Sequence, residues 1–152
     1  MAPHFLQTIL APKRIAVFGA SDRKHSLGQV VFANLRAEAF DGELHPINPR
    51  HERVQGLRAW PDLDSLGRSV DMAVIATPAD AVPDILRQCG KHGVEGAVVL
   101  SAGFGETGDG GRRRERELLE VARQQRIQLV GPNCLGVMRP ASGLNATFSK
   151  NE

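Results

Sequence analysis

Five short apolar runs punctuate this chain, and stretches with helical spacing separate most of them. The runs are Arg14–Phe18, Glu43–Ile47, Asp71–Ala76, Ala97–Leu100 and Ile127–Val130. Most are rich in Val, Ile, Leu and Ala and bounded by turn residues, the pattern of a strand buried on both faces. Helical spacing follows the first run from about Leu27 to Ala39, with Val30, Val31, Asn34 and Leu35 on one side and Arg36 and Glu38 on the other. A second helix is expected from Val82 to Cys89, and a third from Arg112 to Gln125 with Leu118, Leu119, Val121 and Ala122 inward. Leu63–Leu66 reads as one helical turn and Arg58–Trp60 as a short extra strand. Pro46 puts the second strand near an edge, because proline cannot donate to a central ladder. Arg50–Leu57 reads as polar loop, Gly105–Gly111 as flexible loop, and Cys134–Glu152 as a segment of little periodicity. Strands joined by helices pair in parallel through right-handed crossovers. The expected fold is α/β: a Rossmann-like, doubly wound, mainly parallel sheet with helices on both faces.

Composition narrows the class. The 152 residues suit one domain, and 41% hydrophobic residues suffice for a core. With 5% aromatic residues and no Tyr, that core must be mainly aliphatic. A net charge of +2 argues against a nucleic-acid binder or a membrane-surface protein. No apolar run approaches the ~20 residues that span a bilayer, and the N-terminus lacks a secretion-signal layout. Two cysteines, Cys89 and Cys134, make neither a disulfide scaffold nor a zinc pair. The expectation is a cytoplasmic protein with no metal in this chain.

In doubly wound sheets, ligands bind beyond the carboxyl ends of the strands, where the strand order reverses. The ends here are Gly19-Ala20-Ser21, Asn48-Pro49, Thr77-Pro78, Ser101-Ala102-Gly103 and Pro132-Asn133. All are small, polar or rigid, which lets a ligand approach the backbone. After the first strand, Ser21 and Ser26 bring hydroxyls and Gly28 opens a helix whose N-terminus suits a diphosphate. The same residues also suit a plain strand-to-helix turn capped by Ser26. The turn is not G-x-G-x-x-G. After the second strand, an NAD site carries Asp or Glu for the ribose. This chain has Arg50 and His51, with Arg53 nearby. Those bases fit either a solvated loop or an extra ribose phosphate, as in NADP or coenzyme A. Thr77 brings a hydrogen-bonding hydroxyl and Pro78 an apolar face for an adenine ring.

Catalytic residues are not evident. The five histidines, His4, His25, His45, His51 and His92, are scattered, and no Ser-His-Asp or Cys-His set has a recognisable context. Cys134 reads as a small buried cysteine. Arg112-Arg113-Arg114 reads as a solvated helix start.

Six motifs occur in order: Pro12–Ser21, Pro46–Pro49, Val74–Pro78, Ser101–Glu106, Gly131–Gly136 and Gly143–Phe148. Together they resemble the CoA-binding domain of NDP-forming acyl-CoA synthetases and of bacterial protein acetyltransferases with a GNAT domain. The succinyl-CoA synthetase alpha subunit is a more distant relative. The resemblance implies CoA or acyl-CoA held across the strand ends. Gly19, Ala20 and Ser21 would lie near the nucleotide part, Asn48 and Pro49 with the basic Arg50 after them, and Thr77 and Pro78 near the adenine. Ser101, Ala102, Gly103, Pro132 and Asn133 would face the pantetheine arm. Synthetases of this family pass phosphate through a histidine in a flavodoxin-like domain and bind nucleotide in an ATP-grasp domain. This chain has no histidine after His92. The expectation is therefore a CoA-binding domain over residues 1–140 and a tail, 141–152, leading into a second domain. Such a piece would bind CoA and turn over nothing alone. An NADP-type redox or sensor domain and a standalone regulatory CoA-binding protein are the alternatives.

Overall fold

A computed structural model describes residues 5–37 and 40–149. Five strands, β1 (Arg14–Phe18), β2 (Glu43–Ile47), β5 (Met72–Ile75), β6 (Gly96–Val99) and β7 (Gln128–Val130), form one parallel sheet in the order β2-β1-β5-β6-β7. Trp60 adds a parallel bridge outside β2 at Ile47. Counting it, the spatial order is 3-2-1-4-5-6, the dinucleotide-binding arrangement with its reversal between β1 and β5. The bridge also explains how β2 tolerates proline. Pro46 turns its carbonyl outward to accept from Trp60 N at 3.0 Å, so its missing N–H faces away from β1.

Alternate residues of each central strand feed two aliphatic layers. Ala16, Phe18, Ala73, Ile75, Ala97 and Val99 pack under α4 (Val82–Lys91) and α5 (Asp109–Gln124). Ile15, Val17, Met72, Val74 and Val98 pack under α1 (Phe5–Leu10), α2 (Leu27–Ala37) and strand β9 (Leu144–Thr147). Every residue of β5 and β6 is buried, as a sheet covered on both faces requires. The single turn α3 (Leu63–Leu66) starts at Asp62, whose carboxylate accepts from Ser65 N, and ends at Gly67 with φ 65°.

Several local expectations are corrected. Arg50–Leu57 is not plain loop. It contains β3 (Arg53–Val54), which pairs with β4 (Leu57–Arg58) in a hairpin. Gly105–Gly111 is not a flexible loop either. Gly105–Thr107 is a 3-10 turn, and α5 starts at Asp109, three residues before the expected Arg112. Two glycines in its first turn disguise that start. Gly111 is there because a Cβ would lie 1.7 Å from the Phe104 carbonyl oxygen. Leu119 is 50% exposed rather than inward, since it sits about 100° around the helix from Leu118. Helix α1 is a further element, outside the alternation of strands and helices. The helix expected to reach Ala39 runs to Ala37, and residues 38–39 lie outside the described ones.

The expectation of little regular structure after Cys134 is also corrected. Strand β8 (Gly136–Arg139) pairs antiparallel with β9, and all four β9 residues are buried. Asn34 of α2 donates its amide to the carbonyls of Thr147 (2.8 Å) and Ser149 (2.9 Å). Residue 140 is therefore not the edge of the packed core, because Leu144 and Ala146 complete the layer over β1 and β5.

Candidate functional site

The loops after β1 and β5 diverge to opposite faces, and the residues around that point are pressed together. Gly19 has φ 83°, and a Cβ on it would sit 2.8 Å from the Ala76 carbonyl carbon. A Cβ on Gly28 would sit 1.7 Å from the Gly19 carbonyl oxygen. Only glycine lets the start of α2 close onto the end of β1. Ser26 caps that helix, accepting from Gln29 N at 3.2 Å, and the Ser21 hydroxyl accepts from Arg23 N at 2.9 Å. The first-turn N–H groups and positive dipole end of α2 thus open on the Gly19–Ser26 loop.

Asn48 ties the second strand end to the first. Its side-chain amide donates to the Ala20 carbonyl (3.0 Å) and its Oδ1 accepts from Arg50 N (2.8 Å). That internal bracket leaves Pro49 and Arg50 exposed beside it, and Arg50 has no ion-pair partner among the described residues. Thr77 is half-buried with its hydroxyl on the Pro78 carbonyl, and Pro78 is exposed ahead of a 3-10 turn, Ala79–Ala81.

The ends of β6 and β7 meet through Asn133 N, which donates to the Ser101 carbonyl at 3.0 Å. Ser101 is 2% exposed, and its hydroxyl has no partner among the described residues. A buried hydroxyl without a bond is costly, and here it lies at a strand end. Asn133 is exposed with φ 52°, after a cis Gly131–Pro132 bond. Ala102 is exposed, and Gly103, with φ 102°, packs beside Ala79 of the β5 loop. The expected site residues therefore line one edge of the sheet.

The structure adds two groups that sequence spacing did not reveal. Glu106 accepts from the backbone N–H of Gly103 and of Phe104, and Arg114 donates to the Gly103 carbonyl. Together they clamp the loop after β6. The N–H of Gly103, followed by those of Glu106 and Phe104, holds the Glu106 carboxyl below its ordinary 4.5. A lowered folded-state value stabilises the fold above the ordinary value, and that stabilisation is lost as pH falls through the folded one. Thermal melts from about pH 6 to about pH 3 should therefore show the advantage of wild type over Glu106→Gln shrinking. A difference that does not vary with pH would remove this role. The effect is small, because the carboxylate is exposed.

Neither cysteine is held as a thiolate. Burial raises the Cys134 thiol, which also donates to the Val99 carbonyl at 3.4 Å, and raises Cys89 to about 12. His45 pairs with Glu43 and His92 with Asp64, both away from the strand ends. Concavities of about 370 Å³ and 500 Å³ lie near the amino ends of the strands, both bordered by Lys13. Asp71, beside the first of them, already serves the fold by accepting from Lys13 N and Arg14 N. Neither hollow is lined by the start of α2 or by Ser101.

The family model described as a CoA binding domain matches residues 13–140. The alpha subunit of ADP-forming acetate–CoA ligase II from Pyrococcus furiosus is 44% identical over 137 residues, covering 90% of this chain and 30% of that protein. The ADP-forming 4-hydroxybutyrate–CoA ligase of Nitrosopumilus maritimus is 38% identical over 144 residues, covering 93% and 20%. Among solved structures, the dinucleotide-forming acetyl-coenzyme A synthetase 1 of Candidatus Korarchaeum cryptofilum, with phosphate and ADP, superposes at a TM-score of 0.89. It is 36% identical, over 95% of this chain and 31% of the other. The chain thus spans about a third or less of the proteins it resembles.

Proposed function

The chain belongs to the family of CoA-binding domains, and on that premise we propose that it is the CoA-binding part of an ADP-forming acyl-CoA ligase, with CoA lying along the carboxyl edge of the sheet. The observation that carries this reading is the close approach of Gly28 to Gly19, which aims the start of α2 into the loop after β1. That arrangement supplies oriented N–H groups and a positive dipole to a diphosphate. Arg50, exposed and without an ion-pair partner among the described residues, would meet the 3′-phosphate. Thr77 and Pro78 would border the adenine. The unpaired Ser101 hydroxyl, Ala102, Gly103, Pro132 and Asn133 would line the path of the pantetheine arm.

The named relatives act on acids of different size, acetate and 4-hydroxybutyrate. What this domain shares with both is best assigned to the common substrate, CoA, while acyl choice and phosphate transfer fall to other domains. In the parent enzyme, flavodoxin-like and ATP-grasp domains would form the acyl phosphate that the CoA thiol attacks. An acetyltransferase parent is not needed to account for these matches. Among the described residues no helix is long and apolar enough to cross a membrane. A cytoplasmic setting, where Cys89 and Cys134 stay as free thiols, belongs to the same proposal.

Titration calorimetry of the folded domain should detect CoA, and silence under those conditions would overturn the reading. Arg50→Ala should weaken CoA about tenfold at low salt, in line with the loss of one charged hydrogen bond. It should spare dephospho-CoA, and the difference should fade as salt screens the exposed pair. Equal loss for both ligands would reject the 3′-phosphate role.

A further inference from the structure

Gln55 occupies a turn position whose backbone favours a different residue. The β3–β4 hairpin closes through Gln55 and Gly56 alone, with Val54 opposite Leu57. Both turn residues have positive φ, 49° and 80°, the arrangement of a type I′ turn. Such a turn favours Asn, Asp or Gly at its first position, and a longer side chain there carries a conformational cost. A residue held at such a cost points to a role outside the turn.

The side chain shows where that role lies. Gln55 Nε2 donates to the Ser21 carbonyl at 3.2 Å and to the Gln29 carbonyl at 3.0 Å. Ser21 belongs to the loop after β1, and Gln29 to the first turn of α2. One amide therefore spans the two ends of the segment that the CoA reading assigns to the diphosphate. An asparagine in the same turn is one methylene shorter, and a glycine has no side chain. The other ties of Gln55 use its backbone and are kept by asparagine or glycine: its N–H donates to Asp22 Oδ1 at 2.8 Å, and its carbonyl accepts from Arg36. The hairpin would thus stay docked while the loop lost its brace.

We propose that Gln55 is a positioning residue for the diphosphate of CoA, holding the Ser21–Gln29 loop in its anion-binding shape before the ligand arrives. This rests on the CoA reading above and adds to it a residue that no strand end contains. It acts by preorganisation, which raises affinity by reducing the ordering that binding must impose.

The test is the pair Gln55→Asn and Gln55→Gly, measured for melting temperature, for CoA and dephospho-CoA affinity, and for amide hydrogen exchange over residues 21–29 without ligand. Both replacements suit the turn, so the melting temperature should hold or rise. Affinity should nevertheless fall by about fivefold for both ligands alike, since both carry the diphosphate and the two neutral hydrogen bonds at stake act on it only through the shape of the loop. Exchange over residues 21–29 should quicken. Unchanged affinity in folded variants, or a loss confined to CoA, would overturn the proposal. A lowered melting temperature with wild-type affinity would make Gln55 a structural tie and overturn it too. If wild type itself ignores both ligands, the CoA reading falls and the diphosphate role with it. Quickened exchange in the variants would then show that the brace exists and that the ligand was wrong.

Discussion

Gly28→Ala is expected to lower the stability of this domain by about 3 kcal/mol or more, the upper range for overpacking at a rigid site. The added methyl would stand 1.7 Å from the Gly19 oxygen and 2.7 Å from its carbonyl carbon. Both atoms are backbone, so no rotamer change relieves the clash. Gly19 cannot retreat easily either, because its own Cβ position is 2.8 Å from the Ala76 backbone and its N–H donates to Ile47. The loop after β1 is thus wedged between the ends of β2 and β5. Alanine is otherwise the better helix former, by about 1 kcal/mol. A helix-propensity effect alone would therefore raise the melting temperature, and a rise would sink the packing argument. Where the variant still folds at low temperature, CoA affinity should drop as well, since relief of the clash moves α2 away from the diphosphate loop.

Phe104→Ala should cost about 3–5 kcal/mol, the range for emptying a buried aromatic site. Phe104 is fully buried in the layer with Leu86, Val99 and Leu118. For a domain of this size the melting temperature should fall on the order of 10 °C. Phe104→Leu should recover most of it, because a branched aliphatic refills much of the space. The residue matters beyond its volume. Its N–H donates to Glu106, and its carbonyl accepts from Thr107 N and from the Thr107 hydroxyl. The ring is therefore the anchor of the loop after β6. If the alanine variant melts like wild type, the clamp rather than the ring holds that loop, and Glu106→Gln becomes the more damaging change.

The sheet was legible because a strand buried on both faces must be a short, continuous apolar run, and no other local pattern mimics five of them in order. The residues at the strand ends were legible as a set, since small and rigid residues recur after each run. Glu106 and Gln55 were not. Gln55 acts through backbone groups of other segments, and no periodicity records a side chain aimed at a carbonyl 26 or 34 residues away. Glu106 turns back on N–H groups two and three residues before it, in a loop that has no periodicity to read. Strand β9 escaped for a related reason. It is covered on both faces yet carries Asn145 and Thr147, whose buried side chains bond to each other at 2.7 Å. Their polarity looks like surface until the partner is known. Helix α5 begins earlier than its composition implies, because Gly111 serves a close approach to Phe104 rather than a flexible loop.

By itself, then, the amino-acid order determined an aliphatic, parallel, doubly wound sheet and the edge at which a ligand would be met. Hydrophobic burial is proportional to area and periodic along the chain, so it leaves its mark locally. The tertiary structure alone decided which loops are braced, which hydroxyl is left unpaired and which glycines are required. Those depend on distances between segments, and the 1.7 Å that would separate a Cβ on Gly28 from the Gly19 oxygen is set only once α2 has folded back onto β1.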